Sequence, residues 1–520
     1  MPPEPTLPDE ATAEAGSRLL KRTTSRCTVC QARCPAEVWL AGAMPAKVFL
    51  RRRCPEHGQV SVCIASDARF YWLARGKPEN AGPVLTQGRF TKGAGTASSP
   101  LPGGQWEAEA GTKPSPPLAS RLLEPALVPK LAGLDPAAPR NRACCAATGC
   151  AGGTLGRNAG GRGDGPFDKL STCLALIEIV NSCNLACPTC YADSPNQPGG
   201  QVDAIPLEEL KHRIQGVVDR KGGIEILQLS GGEPSLHPRL FELVEWVQAH
   251  PRIDYLLLNT NGVRLATDEP FARQLAAAAR RGRLQLYLQF DGVQSQGQRL
   301  LRGADLRSVR RRAIERCGEM NLPLTLAMTV TAQNLGWLWK AIEFGLQYPH
   351  VRGLCFQPLF RSGRLPPLPA EARLNTADIL LAAVEQSEGR LRFEDFTPLP
   401  CGDPNCATIG YLLKANGRTY SVSDFIDFTK VQEFLRDKVR YRLEDLVRCG
   451  CESEPLGQLL HRFEMNESNT FRLLVKPFMD AWTWDEDRID RCCTHVIRPD
   501  GKLDSFCRYY SGFGDLKDAP

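Results

Sequence analysis

Residues 182–192 read SCNLACPTCYA and set three cysteines, Cys183, Cys187 and Cys190, in a C-x3-C-x2-C array. Thiolates are the usual ligands of iron–sulfur clusters. A cubane of four irons held by three protein thiolates leaves one iron without a protein ligand, free to bind a substrate-like molecule. Four thiolates close the cluster and make an electron carrier. The other use of three thiolates is a structural zinc site completed by a further ligand.

Polar groups recur downstream at what read as strand ends. SGGEP comprises Ser230, Gly231, Gly232, Glu233 and Pro234, and its glycines let the backbone approach a ligand closely. NTNG (259–262) brings Asn259 and Asn261, and QFDG (289–292) brings Gln289 and Asp291. FQP (356–358) brings Gln357, with GR (363–364) just beyond. NG and DG are also common turn pairs, so it is their shared placement that counts. The elements that must position them are apolar runs at 174–180, 224–230, 255–260, 284–290, 322–330 and 353–359, read as strands. Between them, 206–220, 239–250, 269–282, 305–320 and 335–347 have helical periodicity. Such alternation argues for parallel βαβ units with active-site residues at the strand C-termini. Six units rather than eight predict an α/β fold built on an open, partial (β/α)6 barrel.

The array, placed directly after the first barrel strand and joined by GGEP, resembles the radical S-adenosylmethionine (SAM) superfamily. The resemblance implies a 4Fe–4S cluster on Cys183, Cys187 and Cys190, whose open iron chelates the amino and carboxylate groups of SAM. It implies that an electron from the reduced cluster cleaves a C–S bond, and that the 5'-deoxyadenosyl radical then abstracts hydrogen from substrate. An electron donor such as flavodoxin or ferredoxin is implied as partner. SAM contacts fall, by the same resemblance, to Ser230–Pro234, with Glu233 facing the SAM ammonium, and to Asn259, Asn261, Gln289, Asp291 and Gln357. No further residue is assigned a catalytic role. The residue before the last cluster cysteine is often aromatic in this superfamily; here it is Thr189, and Tyr191 follows that cysteine.

The remaining cysteines cluster too. Cys27, Cys30 and Cys54, with CPEHG, read as a small metal ribbon suited to zinc or a rubredoxin-like iron. Its fourth ligand is open among Cys34, His57 and Cys63. The ribbon is either an electron-entry site or a fold-stabilising zinc site. Cys145, Cys150 and Cys173 are candidates for an auxiliary cluster. At the C-terminal end, Cys401, Cys406, Cys493 and Cys507 form a second auxiliary set, with Cys492 beside them. CCTHVIRPDGKLDSFC reads as a hairpin turning at residues 499–501, which brings the paired cysteines near Cys507.

Several stretches resemble one branch of the superfamily: CPEHG, TCLALIEIVNSCNLACPTCYA, YLQFDG, FQPLFRSGR and KPFMDAWTWDEDRIDRCCTHVIRPDGKLDSFC. This is the group of the tetraether lipid synthase and the 7,8-dihydro-6-hydroxymethylpterin dimethyltransferase. It implies C–C bond formation at a poorly activated carbon, by methylation of a pterin-like small molecule or by coupling of alkyl or lipid chains. Relatives have a compact cysteine cluster before the LALIE strand; here a Gly-rich insert, 151–165, interrupts it. A SPASM-type peptide-modifying enzyme and a non-catalytic iron–sulfur or zinc scaffold are the alternatives.

The 520 residues divide into a disordered lead-in (1–22), a Cys-rich ribbon (23–75), a low-complexity linker (76–143), a Cys/Gly-rich segment (144–172), the radical SAM core (173–365) and a C-terminal auxiliary iron–sulfur domain (366–520). Net charge is +6, with Lys and Arg scattered rather than in runs, which argues against nucleic acid as a partner. No apolar run approaches the roughly 18–20 residues of a membrane span. The 21 clustered cysteines, without a signal peptide, point to metal chemistry in the reducing cytoplasm.

Overall fold

The structure, a computed structural model, describes residues 17–42, 45–71, 173–196, 200–279, 282–366, 372–399, 402–415, 418–424 and 469–512. The expected linker 76–143 and segment 144–172, and with them Cys145 and Cys150, lie outside the described residues, as does Cys401.

The N-terminal unit is an antiparallel meander of β1 (Arg18–Arg26), β2 (Arg33–Ala41), β3 (Lys47–Cys54) and β4 (Gly58–Ala65). Burial alternates along β2 and β3 with the period of a strand, and Val38, Val48 and Leu50 are fully buried between the faces. Residues 18–22, expected in the lead-in, belong to β1: Leu20 packs on this core and Lys21 pairs with Asp485 at 2.6 Å. Composition marked the Pro-rich start of the chain but not this short alternation after it.

The barrel strands stand where the apolar runs put them: β5 (Leu174–Val180), β6 (Ile224–Gly231), β7 (Ile253–Thr260), β8 (Leu284–Gln289), β9 (Leu324–Val330) and β10 (Val351–Pro358). They are neighbours in chain order and all parallel. Their near-continuous apolar sequences fit strands covered on both faces. Helices α1 (Leu207–Lys221), α2 (Leu240–Ala249), α3 (Val263–Thr267), α4 (Glu269–Ala279), α5 (Ser295–Arg302), α6 (Arg307–Glu319) and α7 (Leu338–Leu346) connect them. In α1, Leu207, Leu210, Ile214, Val217 and Val218 form the buried stripe, and Gly222 ends the helix in the left-handed conformation.

The C-terminal region, read as a further domain, joins the same sheet at both edges. After α8 (Thr376–Gln386) come β11 (Phe396–Pro398), β12 (Thr408–Ala415), β13 (Arg418–Ser421) and β14 (Thr470–Val475). Strand β14 runs parallel to β10, with Arg472 opposite Gly353. Beyond α9 (Glu486–Asp490), β15 (Thr494–Ile497) pairs parallel with β5, and β16 (Leu503–Ser505) leads into α10 (Phe506–Tyr510). Eight parallel strands therefore run from β15 to β14. Lys476, just past β14, donates to Thr494 Oγ1 at 3.0 Å, so the two parallel edges touch through side chains. The side left open by six units is occupied by these two late strands.

Candidate active site and metal centres

A cavity of about 300 Å³ occupies the barrel interior and reaches the strand C-termini, and Cys183, Cys187 and Cys190 all line it. Backbone pairing fixes their loop. Cys183 N donates to Pro195 O at 3.0 Å, and Cys190 and Arg364 exchange backbone bonds of 2.9 Å each. The Arg364 guanidinium also donates to the carbonyls of Cys187 (3.1 Å) and Ser194 (2.6 Å). Gly363 permits this approach: a Cβ there would lie 2.3 Å from Cys190 O. Burial pushes the Cys183 thiol up to about 11, and Glu233, Cys187 and Cys190 add to the rise. Three thiolates share this pocket only around a positive centre, and three soft sulfur donors match an iron–sulfur cluster.

The GGEP turn lies against this loop. A Cβ on Gly232 would fall 2.2 Å from Ser182 O, so only glycine fits. Glu233 is buried yet borders the cavity. It accepts from Ser235 N (3.2 Å), Thr260 Oγ1 (2.8 Å) and Asn261 N (2.7 Å). A carboxylate offers about four acceptor positions, so one is left for a donor in the cavity. Asn259 donates to Ser230 Oγ at 3.0 Å and accepts from Gln228 at 2.6 Å. Asn261 donates to Asn184 Oδ1 at 2.6 Å, tying the third barrel strand to the cysteine loop. Gln357 donates to the Tyr287 hydroxyl at 3.0 Å. Ser230, Gly231, Gly232, Pro234, Asn259, Asn261, Gln289 and Gln357 all line the cavity.

Asp291, expected among the SAM contacts, is different: it is fully buried and does not line the cavity. It holds Arg302, which does, through bonds of 2.6 and 3.0 Å. Burial alone pushes the Asp291 carboxyl up, but Arg302, Arg310 and Gln289 outweigh it and leave it below the usual range. Tyr191 packs edge-on to Tyr510 at 4.7 Å and against Phe506 at 5.5 Å, forming an aromatic wall.

Sequence reasoning missed four cations of the lining: Arg302, Arg310, Arg472 and Lys476. Arg310 is 1% exposed, and its three side-chain nitrogens have no hydrogen-bond partner among the described residues. Burial brings its guanidinium down to about 10. Arg472 and Lys476 alternate with Leu474 in RLLVK, a period-two signal that marks a strand with one cationic face.

In the ribbon, the ligand atoms of Cys27, Cys30, Cys54 and His57 lie within 4.8 Å of one another. His57 Nδ1 is 3.5 Å from Cys54 Sγ and 3.7 Å from Cys27 Sγ, so His57 completes the set left open by spacing. The bond from His57 draws the Cys54 thiol down to about 6. Cys34 is buried beside the site with its thiol pushed up to about 11, and Cys63 lies on β4 opposite Phe49. Three Cys and one His suit tetrahedral zinc.

Arg52 fixes this ribbon to the C-terminal segment that follows β14. It is buried and donates to the carbonyls of Arg26 (3.1 Å), Ala481 and Trp482. Ser25 donates to Trp484 O at 2.7 Å. The same segment donates from Met479 N to Cys507 Sγ at 3.3 Å. Burial pushes the Cys493 and Cys507 thiols up to about 11 and raises the Cys492 thiol well above its ordinary value, and the neighbouring Cys406 adds to the rise at all three. Cys492, next to Cys493 in the chain, donates to Thr494 O at 3.1 Å. Cys173, expected among auxiliary-cluster ligands, is disulfide-bonded in the structure, so its sulfur is not a thiolate free to hold iron; its backbone N–H donates to Cys493 O at 3.1 Å at the start of β5.

Two family profiles match parts of the chain. The Radical SAM superfamily profile matches residues 177–345, and the HMPTM N-terminal zinc ribbon domain profile matches 19–66. The chain is 25% identical to the 7,8-dihydro-6-hydroxymethylpterin dimethyltransferase of Methanocaldococcus jannaschii, over 66% of this chain and 78% of that protein. It is 26% identical to the mycofactocin maturase MftC of Mycobacterium ulcerans, over 31% of this chain and 41% of that one. Among solved structures, Streptococcus suis SuiB aligns at 16% identity over 42% of this chain and 47% of its own, with a TM-score of 0.34. Residues 177–345 of this chain are a radical SAM domain, and residues 19–66 an HMPTM-type zinc ribbon.

Proposed function

We propose that this chain is a radical SAM enzyme that forms C–C bonds on a pterin-like small molecule, by methylation. A 4Fe–4S cluster on Cys183, Cys187 and Cys190 would supply the electron that cleaves SAM. Glu233, with its remaining acceptor position, receives the SAM ammonium, and Ser230, Gly231 and Gly232 present backbone and hydroxyl beside it. Arg302, held by Asp291, faces the same end of the cavity. The aromatic wall of Tyr191, Phe506 and Tyr510 keeps water from that end. Cys406, Cys492, Cys493 and Cys507 are the candidate ligands of an auxiliary cluster, and flavodoxin or ferredoxin is the class of donor.

The observation that carries the substrate class is the interior lining. Gln228, Tyr255, Gln285, Tyr287, Thr325 and Gln357 place amide and hydroxyl side chains in that lining. They bond mainly to one another and to Asn259, but the Gln228, Gln285 and Gln357 amides have more donor and acceptor positions than those bonds fill, which a polar heterocycle can use and an alkyl chain cannot. That favours a pterin over a lipid. A peptide substrate is the second reading, resting on the likeness to a maturase. The test is to supply reductant, SAM and 7,8-dihydro-6-hydroxymethylpterin to the anaerobically reconstituted protein and follow pterin mass. Gain of one or two methyl groups, dependent on Cys187, supports the reading; SAM cleavage that leaves the pterin unchanged contradicts it.

A further inference from the structure

Strand register carries one line of residues across the barrel: Asn259 is opposite Tyr287, Tyr287 opposite Thr325, Thr325 opposite Gly353, and Gly353 opposite Arg472. Gly353 is required where β14 closes in. A Cβ there would stand 2.3 Å from Arg472 O and 2.9 Å from Arg472 Cβ. The result is a guanidinium inside a barrel wall, lining the cavity with Gln285, Tyr255 and Thr325.

Arg472 is under-used there. Its one side-chain hydrogen bond among the described residues is a 3.5 Å contact to Gln285 Oε1. Tyr255 reaches the same oxygen at 3.4 Å. Both lie at the limit of hydrogen bonding. Gln285 itself is 4% exposed and is held by its amide nitrogen, which donates to Thr325 Oγ1 at 2.6 Å. An arginine has five N–H donors and no acceptor, so a ligand oxygen is what this corner lacks. The only carboxylate of the cavity lining among the described residues, Glu233, is held by Ser235, Thr260 and Asn261 at the cysteine end and makes no hydrogen bond to Arg472. Lys476 is four residues further on, just past β14, about 13 Å away at strand rise. A single cation flanked by a neutral amide and hydroxyls suits a lactam oxygen better than a phosphate, which would draw on more than one cation.

Building on the pterin reading, we propose that Arg472 and Gln285 read the lactam edge of the substrate heterocycle: Arg472 donates to its carbonyl oxygen and Gln285 Oε1 accepts the adjacent ring N–H. The ring then lies with its pyrimidinone edge toward β14, leaving the substituted edge for the SAM side.

The test uses the full chain, loaded with metal and SAM without oxygen, and two probes measured by pteridine fluorescence. One is 6-hydroxymethylpterin; the other is 2,4-diamino-6-hydroxymethylpteridine, whose amino group replaces the lactam oxygen. Wild type should prefer the lactam by about ten- to a hundred-fold, the range for a hydrogen bond to a charged group. Arg472→Met should remove that preference while keeping SAM affinity. Gln285→Glu, which sets a carboxylate against Arg472, should invert it, and this second variant decides the matter where Arg472→Met fails to fold. Equal binding of both probes by wild type, or preference retained in the variants, overturns the assignment of the lactam edge and leaves the pterin reading standing. Binding of neither probe by wild type overturns both.

Discussion

Asp291→Asn is the perturbation whose cost the structure sets most directly. Asp291 is fully buried, with Arg302 12% exposed in its side chain, and the two meet through two bonds. The charged groups facing it are Arg302 on α5 and Arg310 on α6; Gln289 on β8 and the Thr329 amide on β9 add neutral donors. Removing one partner of a buried pair leaves the other charge uncompensated, at about 3–5 kcal/mol. Folded domains have roughly 5–15 kcal/mol in total, so the loss is a large fraction. With a urea slope of about 3 kcal/mol per M, the midpoint should fall by roughly 1 to 1.7 M. The assay is anaerobic urea unfolding followed by tryptophan fluorescence, with Arg302→Met and the double variant closing a cycle. The double variant should recover part of the loss. Because the folded carboxyl lies below its ordinary value of 3.8, the pair's stabilisation is fully present above that pH and is lost as pH falls through the folded value. Wild type and Asp291→Asn should therefore converge in acid. A midpoint shift under about 0.2 M at neutral pH, a single-variant loss far below the buried-pair range, or strict additivity in the cycle would refute this reasoning.

Gly232→Ala should abolish SAM binding while leaving the zinc ribbon loaded, because its Cβ meets Ser182 O at 2.2 Å; equilibrium dialysis with SAM and metal analysis check this. Arg364→Ala removes two charged bonds to the cysteine loop, about 1.5–3 kcal/mol each, and should lower iron retention by the reconstituted protein, read by iron assay and the cluster's visible absorption. Arg52→Met should leave zinc in place but free the segment 479–484, so that Cys492, Cys493 and Cys507 react faster with a thiol reagent in the metal-free protein, read by mass spectrometry. Cys30→Ser should release zinc and produce the same increase, since the ribbon presents Arg52.

How legible this was depends on whether a group acts through its neighbours in sequence. The barrel strands and their polar ends were readable because each apolar run is bounded by its own turn. Ser230–Pro234 and the three cysteines are local motifs of the same kind. His57 was visible only as one of three candidates: spacing cannot choose among Cys34, His57 and Cys63, and the 4.8 Å cluster does. Asp291 looked like a site residue because it ends a barrel strand, but its left-handed backbone, φ 60°, turns it onto Arg302. Arg472 and Gln285 are 187 residues apart. No pattern within β14 reveals that it closes the barrel, because parallel pairing leaves no turn signal between partners.

The central claim is that the cavity holding Cys183, Cys187 and Cys190 cleaves SAM reductively. The most direct measurement is 5'-deoxyadenosine, quantified by mass spectrometry after anaerobic iron and sulfide reconstitution, with dithionite and SAM. Wild type should form it and Cys187→Ala should not. Protein that binds its full complement of iron, binds SAM and forms none would contradict the claim.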